Sequence, residues 1–150
     1  MTQENYAISI IIPVYNEEEN IQPLTDKINN ALTGHLYEIV YVDDFSTDQT
    51  RDVIKNLQDK HVHLIELKKN YGQSLALAAG IKYATGDFIV TMDGDLQNDP
   101  NDILKMVDTA ANEDWDVVTG YRAHRKDHFI KTILLLEKLL NSTLKIKVVL

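Results

Sequence analysis

Residues 8–14 form a short apolar run rich in isoleucine, bounded by Pro13 and Asn16, a pattern that predicts a strand buried on both faces. Ile21, Leu24, Ile28 and Leu32 then recur at helical spacing, with Gly34 as a stop. Asn16 with Glu19 could form a capping box, but Pro23 is best tolerated in a first turn, which favours Asn20 as the N-cap. The same pair of signals repeats. Residues 37–42 read as a strand, residues 46–48 as a cap, and Val53, Ile54 and Leu57 as the inner face of a helix. A third strand is predicted over residues 62–67, followed by Leu75, Ala78, Ala79 and Lys82 at helical spacing, and a fourth strand over residues 87–92. Pro100 opens a further helix that turns Ile103, Leu104, Val107 and Ala111 inward, and residues 116–120 form a fifth strand.

Strict alternation of strand and helix implies right-handed crossovers and a mostly parallel sheet covered by helices on both faces. The fold class predicted is therefore α/β. A last helix over residues 129–144 repeats Phe129, Ile133, Leu136 and Leu140 along one face, a pattern explained best by packing against a core, with docking on a membrane or a partner as the alternative. Residues 145–150 read as the opening of another strand, and the chain is expected to be truncated inside it.

In such a sheet, ligands bind in the crevice beyond the carboxyl ends of the strands. Tyr15, Asn16 and Glu17 follow the first strand, Asp43 and Asp44 the second, and residues 70–73 the third. Residues 93–97 follow the fourth, and Tyr121 and Arg122 the fifth. All five clusters fall on one edge, while loops on the other, residues 33–35 and 85–86, carry little chemistry.

Asp93-Gly94-Asp95 is the sharpest element. Two carboxylates beyond a buried strand can share a divalent cation that neutralises a diphosphate, with Gly94 allowing close approach of a ligand and Gln97 adding a neutral oxygen or orienting a water. Alternatively, the tripeptide is a turn whose carboxylates cap the next helix. Asp43 can accept hydrogen bonds from a nucleobase or ribose, while Asp44 or Ser46 caps the helix that follows. Tyr15 offers either a stacking face or simple packing, and Glu17 either a pocket wall or a partner for a helix dipole. Arg122 suits a diphosphate clamp through its forked donors, or else forms a surface ion pair. His61 and His63 alternate along a strand and read as solvent or core neighbours rather than zinc ligands.

Charge narrows the partners. Fifteen basic against 23 acidic side chains give a net charge of −8, and the lysines form no stripe, which argues against nucleic acid. With no cysteine, neither a disulfide framework nor a thiolate zinc site is possible. The first six residues are polar and acidic, unlike an export signal, and no window reaches the roughly 18 apolar residues of a membrane span. A soluble domain is expected.

Taken in order, Pro13-Val14-Tyr15-Asn16-Glu17, residues 42–48 (Val-Asp-Asp-Phe-Ser-Thr-Asp), Asn70-Tyr71-Gly72-Gln73 and Asp93-Gly94-Asp95-Leu96-Gln97 resemble glycosyltransferase family 2. Within it the chain is most similar to the polyprenyl-phosphate sugar transferases related to dolichyl-phosphate mannose synthase and the undecaprenyl-phosphate aminoarabinose transferases. The resemblance implies a GT-A fold, of which residues 1–150 would be the nucleotide-sugar-binding part. It implies that Pro13, Tyr15, Glu17, Asp43, Asp44, Asn70 and Gly72 line the nucleotide-sugar pocket, with Asp93 on the ribose or the metal. Asp95 and Gln97 would hold Mg²⁺ or Mn²⁺, Arg122 would steady the diphosphate, and Arg125 and Lys126 would face an acceptor phosphate. Lys69 stands where the family commonly has arginine. The acidic-glycine-arginine segment and acceptor helices expected beyond Leu150 are missing, so the isolated chain would bind donor without turnover. The implied partners are a nucleotide-sugar donor and a lipid-phosphate acceptor at the cytoplasmic face of a membrane.

Two other classes fit parts of the pattern. A receiver domain binds Mg²⁺ beside a parallel sheet, but its acidic pair follows the first strand, where this chain has Tyr-Asn-Glu. An Asp-based phosphohydrolase would place its motif early and want a basic partner. Neither a dinucleotide fingerprint nor a Walker lysine loop is present.

Overall fold

The computed structural model of the chain describes residues 7–120 and 147–149. Among these residues six strands and four helices follow in the order β1 (Ala7–Val14), α1 (Ile21–Ala31), β2 (Leu36–Asp43), α2 (Thr50–Asn56), β3 (Val62–Glu66), α3 (Gln73–Tyr83), β4 (Phe88–Thr91), α4 (Asp102–Asn112), β5 (Val117–Val118) and β6 (Lys147–Val149). The strands form one sheet in the order β3-β2-β1-β4-β6-β5, and all its pairings are parallel. The α/β architecture, a parallel sheet covered by helices, is the one expected from the sequence. The chain builds outward from β1 to β3, then returns to the other side of β1 to lay down β4. That reversal opens a crevice between the carboxyl ends of β1 and β4.

Alternation along β1 explains the two layers. Ile8, Ile10, Ile12 and Val14 meet Ile21, Leu24 and Ile28 of α1, Ile54 of α2 and Ile103 and Val107 of α4. Ile11 on the opposite face meets Ala76, Leu77 and Ile81 of α3 with Val40 and Val42 of β2. Period-two strands between period-3.6 helices thus bury β1 on both sides. The hydroxyl of Tyr41 is sealed in this core, 2.8 Å from Thr25 Oγ1, and burial pushes its pKa up to about 12.

Two details differ from the pattern read along the sequence. The sheet-facing residues of α3 are Ala76, Leu77, Gly80 and Ile81, while Leu75 is 54% exposed and Lys82 is exposed. The helix is apolar nearly all round, so periodicity alone does not set its phase, and the small residues select the face. A Cβ on Gly80 would collide with Ile11 Cγ2 and lie 3.0 Å from Val42 Cγ2, so α3 rests on the sheet where only glycine fits. The second difference concerns caps. Asn20 occupies the N-cap position of α1 but makes no side-chain cap; its amide donates to Glu17 Oε2 at 2.6 Å. Neither Asp44 nor Ser46 caps α2. Asp48 Oδ1 accepts from Thr50 N at 3.0 Å instead, leaving the two earlier residues to tie loops together. The helix anticipated over residues 129–144 lies outside the described residues.

The amino ends of the strands are stapled by a polar network. Ser9 Oγ donates to Glu38 Oε1 at 2.6 Å, Thr85 N donates to the same oxygen at 2.8 Å, and Gly86 N donates to Ser9 Oγ at 2.8 Å. Burial works to raise the Glu38 pKa, but hydrogen bonds from Ser9 and Thr85, with His63 nearby, outweigh it and hold the carboxyl below its ordinary 4.5.

Gly80→Ala is expected to lower stability by about 1–3 kcal/mol, read as a shift in the urea midpoint, because the added methyl overpacks the α3–sheet contact. Glu38 supplies a pH test. Since its folded pKa is depressed, its contribution is complete above 4.5 and is lost as pH falls through the folded value. Denaturation of Glu38→Gln and parent across pH 7 to 3 should show a stability gap that narrows as the pH falls below the ordinary carboxyl value of 4.5.

Candidate active site

Side chains of one loop satisfy the backbone of the next along the carboxyl edge of the sheet. Asn16 adopts a left-handed conformation with φ 55°, which asparagine tolerates, and this aims its amide oxygen at the loop after β2. Thr47 N donates to Asn16 Oδ1 at 2.8 Å, Asn16 N donates to Ser46 Oγ at 2.9 Å, and Glu17 N donates to Thr50 Oγ1 at 2.9 Å. The β2 loop is tied onward to the β3 loop. Asp44 is buried and accepts from Tyr71 N at 2.7 Å and Gly72 N at 2.8 Å, one backbone donor on each oxygen. Gly72, at φ 88°, provides the turn that presents both donors together.

From there the chain of contacts reaches β4. Gln73 Nε2 donates to Asp93 Oδ1 at 2.9 Å, joining the start of α3 to the Asp-Gly-Asp loop. That loop closes against β1: a Cβ on Gly94 would lie 3.0 Å from Val14 Cγ1, 3.7 Å from Glu17 Cγ and 3.7 Å from the Pro13 carbonyl. Gly94 therefore serves close packing on the end of β1, a role that the sequence does not announce. Beyond it Asp95 is exposed and its Oδ1 accepts from Gln97 N at 3.1 Å, with Leu96 between them at φ 63°.

The ring of contacts brings together the loops carrying Pro13, Tyr15, Glu17, Asp44, Asn70, Gly72, Asp93, Asp95 and Gln97. Tyr15 and Asn70 are exposed, and Pro13, Glu17 and Asp93 are half-buried. Asp43 is placed differently. Its carboxylate is fully buried, 3.0 Å from Arg51 Nε, and it accepts from Ser46 N at 3.1 Å. Arg51 also donates to the Ser46 carbonyl at 2.5 Å and lies 3.6 Å from Glu66. In this arrangement Asp43 faces the underside of its loop, and Arg51 stands between it and solvent. Asp43, expected from the sequence to meet a nucleobase or ribose, is here paired with the half-buried Arg51.

Arg51 was not singled out from the sequence. Its place in the first turn of α2, where an acidic side chain is the usual complement to the helix dipole, was the available signal. Arg122, Arg125 and Lys126 lie outside the described residues.

The donor set after β4 suits a hard divalent cation. Asp93 and Asp95 supply carboxylates and Gln97 an amide oxygen, a small set of the kind that Mg²⁺ shares with substrate phosphates rather than a cage closed by protein alone. Among the described residues no group of three or more His, Cys, Asp or Glu gathers to hold a metal by itself. His61 and His63 are engaged elsewhere: His61 stacks on Tyr37 with centroids 4.4 Å apart and contacts Asp59, and His63 lies 3.7 Å from Glu38. Among the described residues, open cavities flank α1 on two sides. One of about 560 Å³ is lined by Thr25, Asn29, Tyr37, Asp59 and His61, and one of about 530 Å³ separates Lys27 and Asn30 from Gln97 and Asn101. No helix among the described residues is long and apolar enough to cross a membrane.

The chain is similar to known proteins in sequence and in fold. The chain is 38% identical over 129 residues to a dodecaprenyl-phosphate galacturonate synthase of Rhizobium johnstonii, covering 83% of this chain and 38% of that protein. It is 42% identical over 129 residues to an undecaprenyl-phosphate 4-deoxy-4-formamido-L-arabinose transferase of Yersinia pestis, covering 83% and 39%. The chain thus spans about two-fifths of the length of these relatives. Among solved structures, Staphylococcus aureus TarS in complex with UDP-GlcNAc superposes with a TM-score of 0.60 at 27% identity, over 81% of this chain and 36% of that one. The sequence profile of glycosyl transferase family 2 matches residues 9–147, a span that takes in every loop of the cleft, and the chain belongs to that family.

Proposed function

We propose that this chain is the nucleotide-sugar-binding part of a glycosyltransferase that moves a sugar from a nucleoside diphosphate to a polyprenyl phosphate. The observation that carries the reading is the closed circuit of loop contacts, which gathers the Asp-Gly-Asp loop, the Tyr-Asn-Glu loop and the Asp44–Gly72 clamp around one crevice. The relatives named for polyprenyl-phosphate substrates and the neighbour bound to UDP-GlcNAc support the acceptor and donor classes.

In this reading Asp95, with Asp93 and the Gln97 amide, holds Mg²⁺ or Mn²⁺ at the β1–β4 crevice. A divalent ion there supplies positive charge against the diphosphate as it departs. Gln73 orients Asp93 by its hydrogen bond, so the carboxylate meets its ligand in a fixed rotamer. Arg122 is proposed as a second positive group on the diphosphate, its forked donors matching the phosphate oxygens. Tyr15, Pro13, Glu17, Asn70 and Gly72 line the nucleotide side. Asp43 acts there from beneath, by holding Arg51 and the loop backbone. Arg125 and Lys126 are proposed to face the acceptor phosphate.

The chemistry is displacement at the anomeric carbon by a phosphate oxygen with inversion. The carbon–oxygen bond to the nucleoside diphosphate breaks as the bond to the acceptor oxygen forms. The acceptor is already anionic, so no strong general base is required, and rate enhancement rests on electrostatic stabilisation of the leaving group. A lipid acceptor places the reaction at a membrane surface, and nucleotide donors place it on the cytoplasmic face. A receiver or phosphohydrolase reading has no comparable support: here the acidic pair follows β4, and the loop after β1 carries Tyr15, Asn16 and Glu17.

Calorimetric titration of UDP, GDP and their sugar conjugates, with and without Mn²⁺, tests the proposal. One nucleotide series should bind more tightly with the ion, and Asp95→Ala should remove that gain, weakening binding by roughly tenfold or more, as expected for loss of a charge-assisted contact. Equal affinity in parent and variant would reject the metal role of Asp95.

A further inference from the structure

Phe45 is held in a backbone conformation that phenylalanine ordinarily avoids. Its φ is 70°, in the left-handed region that disfavours any residue bearing a bulky Cβ substituent. Both neighbours enforce it. On one side Asp44 is locked to Tyr71 N and Gly72 N; on the other, Ser46 N is bonded to Asp43 while Ser46 Oγ accepts from Asn16 N. With three loops fixing residues 44 and 46, the chain between them has little freedom. Strain maintained in this way is characteristic of functional sites, where the surrounding structure over-determines the conformation.

The conformation displays the ring rather than hiding it. Phe45 is 43% exposed, although the polar residues on either side of it, Asp44 and Ser46, are buried. The Arg51 guanidinium lies over the ring, 5.6 Å from its centroid, and is itself anchored to buried Asp43. An aromatic with a fixed cation at one face and open surface elsewhere is a preorganised stacking platform.

Its place in the sheet matches one part of the proposed donor. The Asp-Gly-Asp loop follows β4 and Phe45 follows β2, with β1 between them, so the two are separated by about two strand spacings, roughly 10 Å. A nucleoside diphosphate whose phosphates lie at Asp95 reaches across β1 and brings its base over the end of β2. We propose that Phe45 is a nucleotide-binding residue that stacks on the nucleobase of the donor, which rests on the nucleotide-pocket reading above. The aromatic face accepts any base, so it supplies affinity and orientation while polar groups choose among bases.

Phe45→Gly separates this role from a structural one, because glycine relieves the left-handed backbone while deleting the ring. Binding of UDP, GDP and inorganic pyrophosphate would be measured by calorimetry in the presence of Mn²⁺, on parent, Phe45→Gly and Phe45→Trp chains, with thermal melting of each. For the nucleoside diphosphate that the parent binds, Phe45→Gly should lose roughly five- to hundredfold in affinity and Phe45→Trp should retain it. Pyrophosphate binding should be unchanged, and the Phe45→Gly chain should melt at or above the parent temperature. Nucleotide affinity in Phe45→Gly equal to that of the parent would overturn the stacking role alone. Equal losses for nucleotide and pyrophosphate would also overturn it, assigning the effect to loop collapse. A parent that binds pyrophosphate but neither UDP nor GDP would overturn the nucleotide pocket itself, and this proposal with it.

Discussion

The hydrogen bonding of loop backbone by side chains from the neighbouring loop is the constraint on which the site depends. A parallel sheet ends in a row of peptide groups that no further strand will pair, and leaving such groups unmet when buried costs roughly 1–3 kcal/mol each. Here Asn16, Ser46, Thr50 and Asp44 meet them from one loop to the next. Connecting the loops also makes them a single body. A displacement of the turn after β1 is transmitted to the turn after β2, and from Asp44 to the start of α3.

Buried charge reinforces the same edge. Asp43 is sealed from solvent, and a lone carboxylate there would be costly, so Arg51 is required for the loop to close as it does. The guanidinium in turn is shared with Glu66 and with the Ser46 carbonyl, and Lys55 meets Glu66 at 2.6 Å. These contacts draw α2 and β3 into the support of the β2 loop. The acidic residues of the edge thus divide by environment: the carboxylates of Asp43 and Asp44 are buried and bonded to neighbouring loops, while Asp95 is exposed.

Much of this was legible from the residues alone, for identifiable reasons. The isoleucine run of β1 and the spacing of Ile21, Leu24, Ile28 and Leu32 are strong patterns because each element has an unambiguous inner face, and the three α1 residues and the Leu32 that follows the helix are fully buried. Residues 116–120 were read as a strand, yet only Val117–Val118 pairs. The helical spacing of Leu75, Ala78, Ala79 and Lys82 does not show which face of α3 meets the sheet, because Gly80 contributes contact by having no side chain, which no apolar period registers. At the site, position along the chain placed the polar clusters on one edge. It did not reveal that Asp43 turns beneath its loop, since the pairing with Arg51 spans a turn and a helix start whose geometry is set by Asn16 and Ser46. A capping assignment for Asp44 or Ser46 was reasonable from composition; tertiary contacts claimed both side chains and left Asp48 to meet Thr50.

The missing side chain at Gly80 has a mechanical corollary. With α3 already touching Ile11 and Val42, there is no slack beneath that helix, and interiors packed to this density resist compression. Travel toward the sheet is closed to it. The amide of Gln73 at its head therefore behaves as a stop rather than a spring, and whatever accommodation an incoming ligand demands must be made by bending of the turns, with the helix as their fixed abutment.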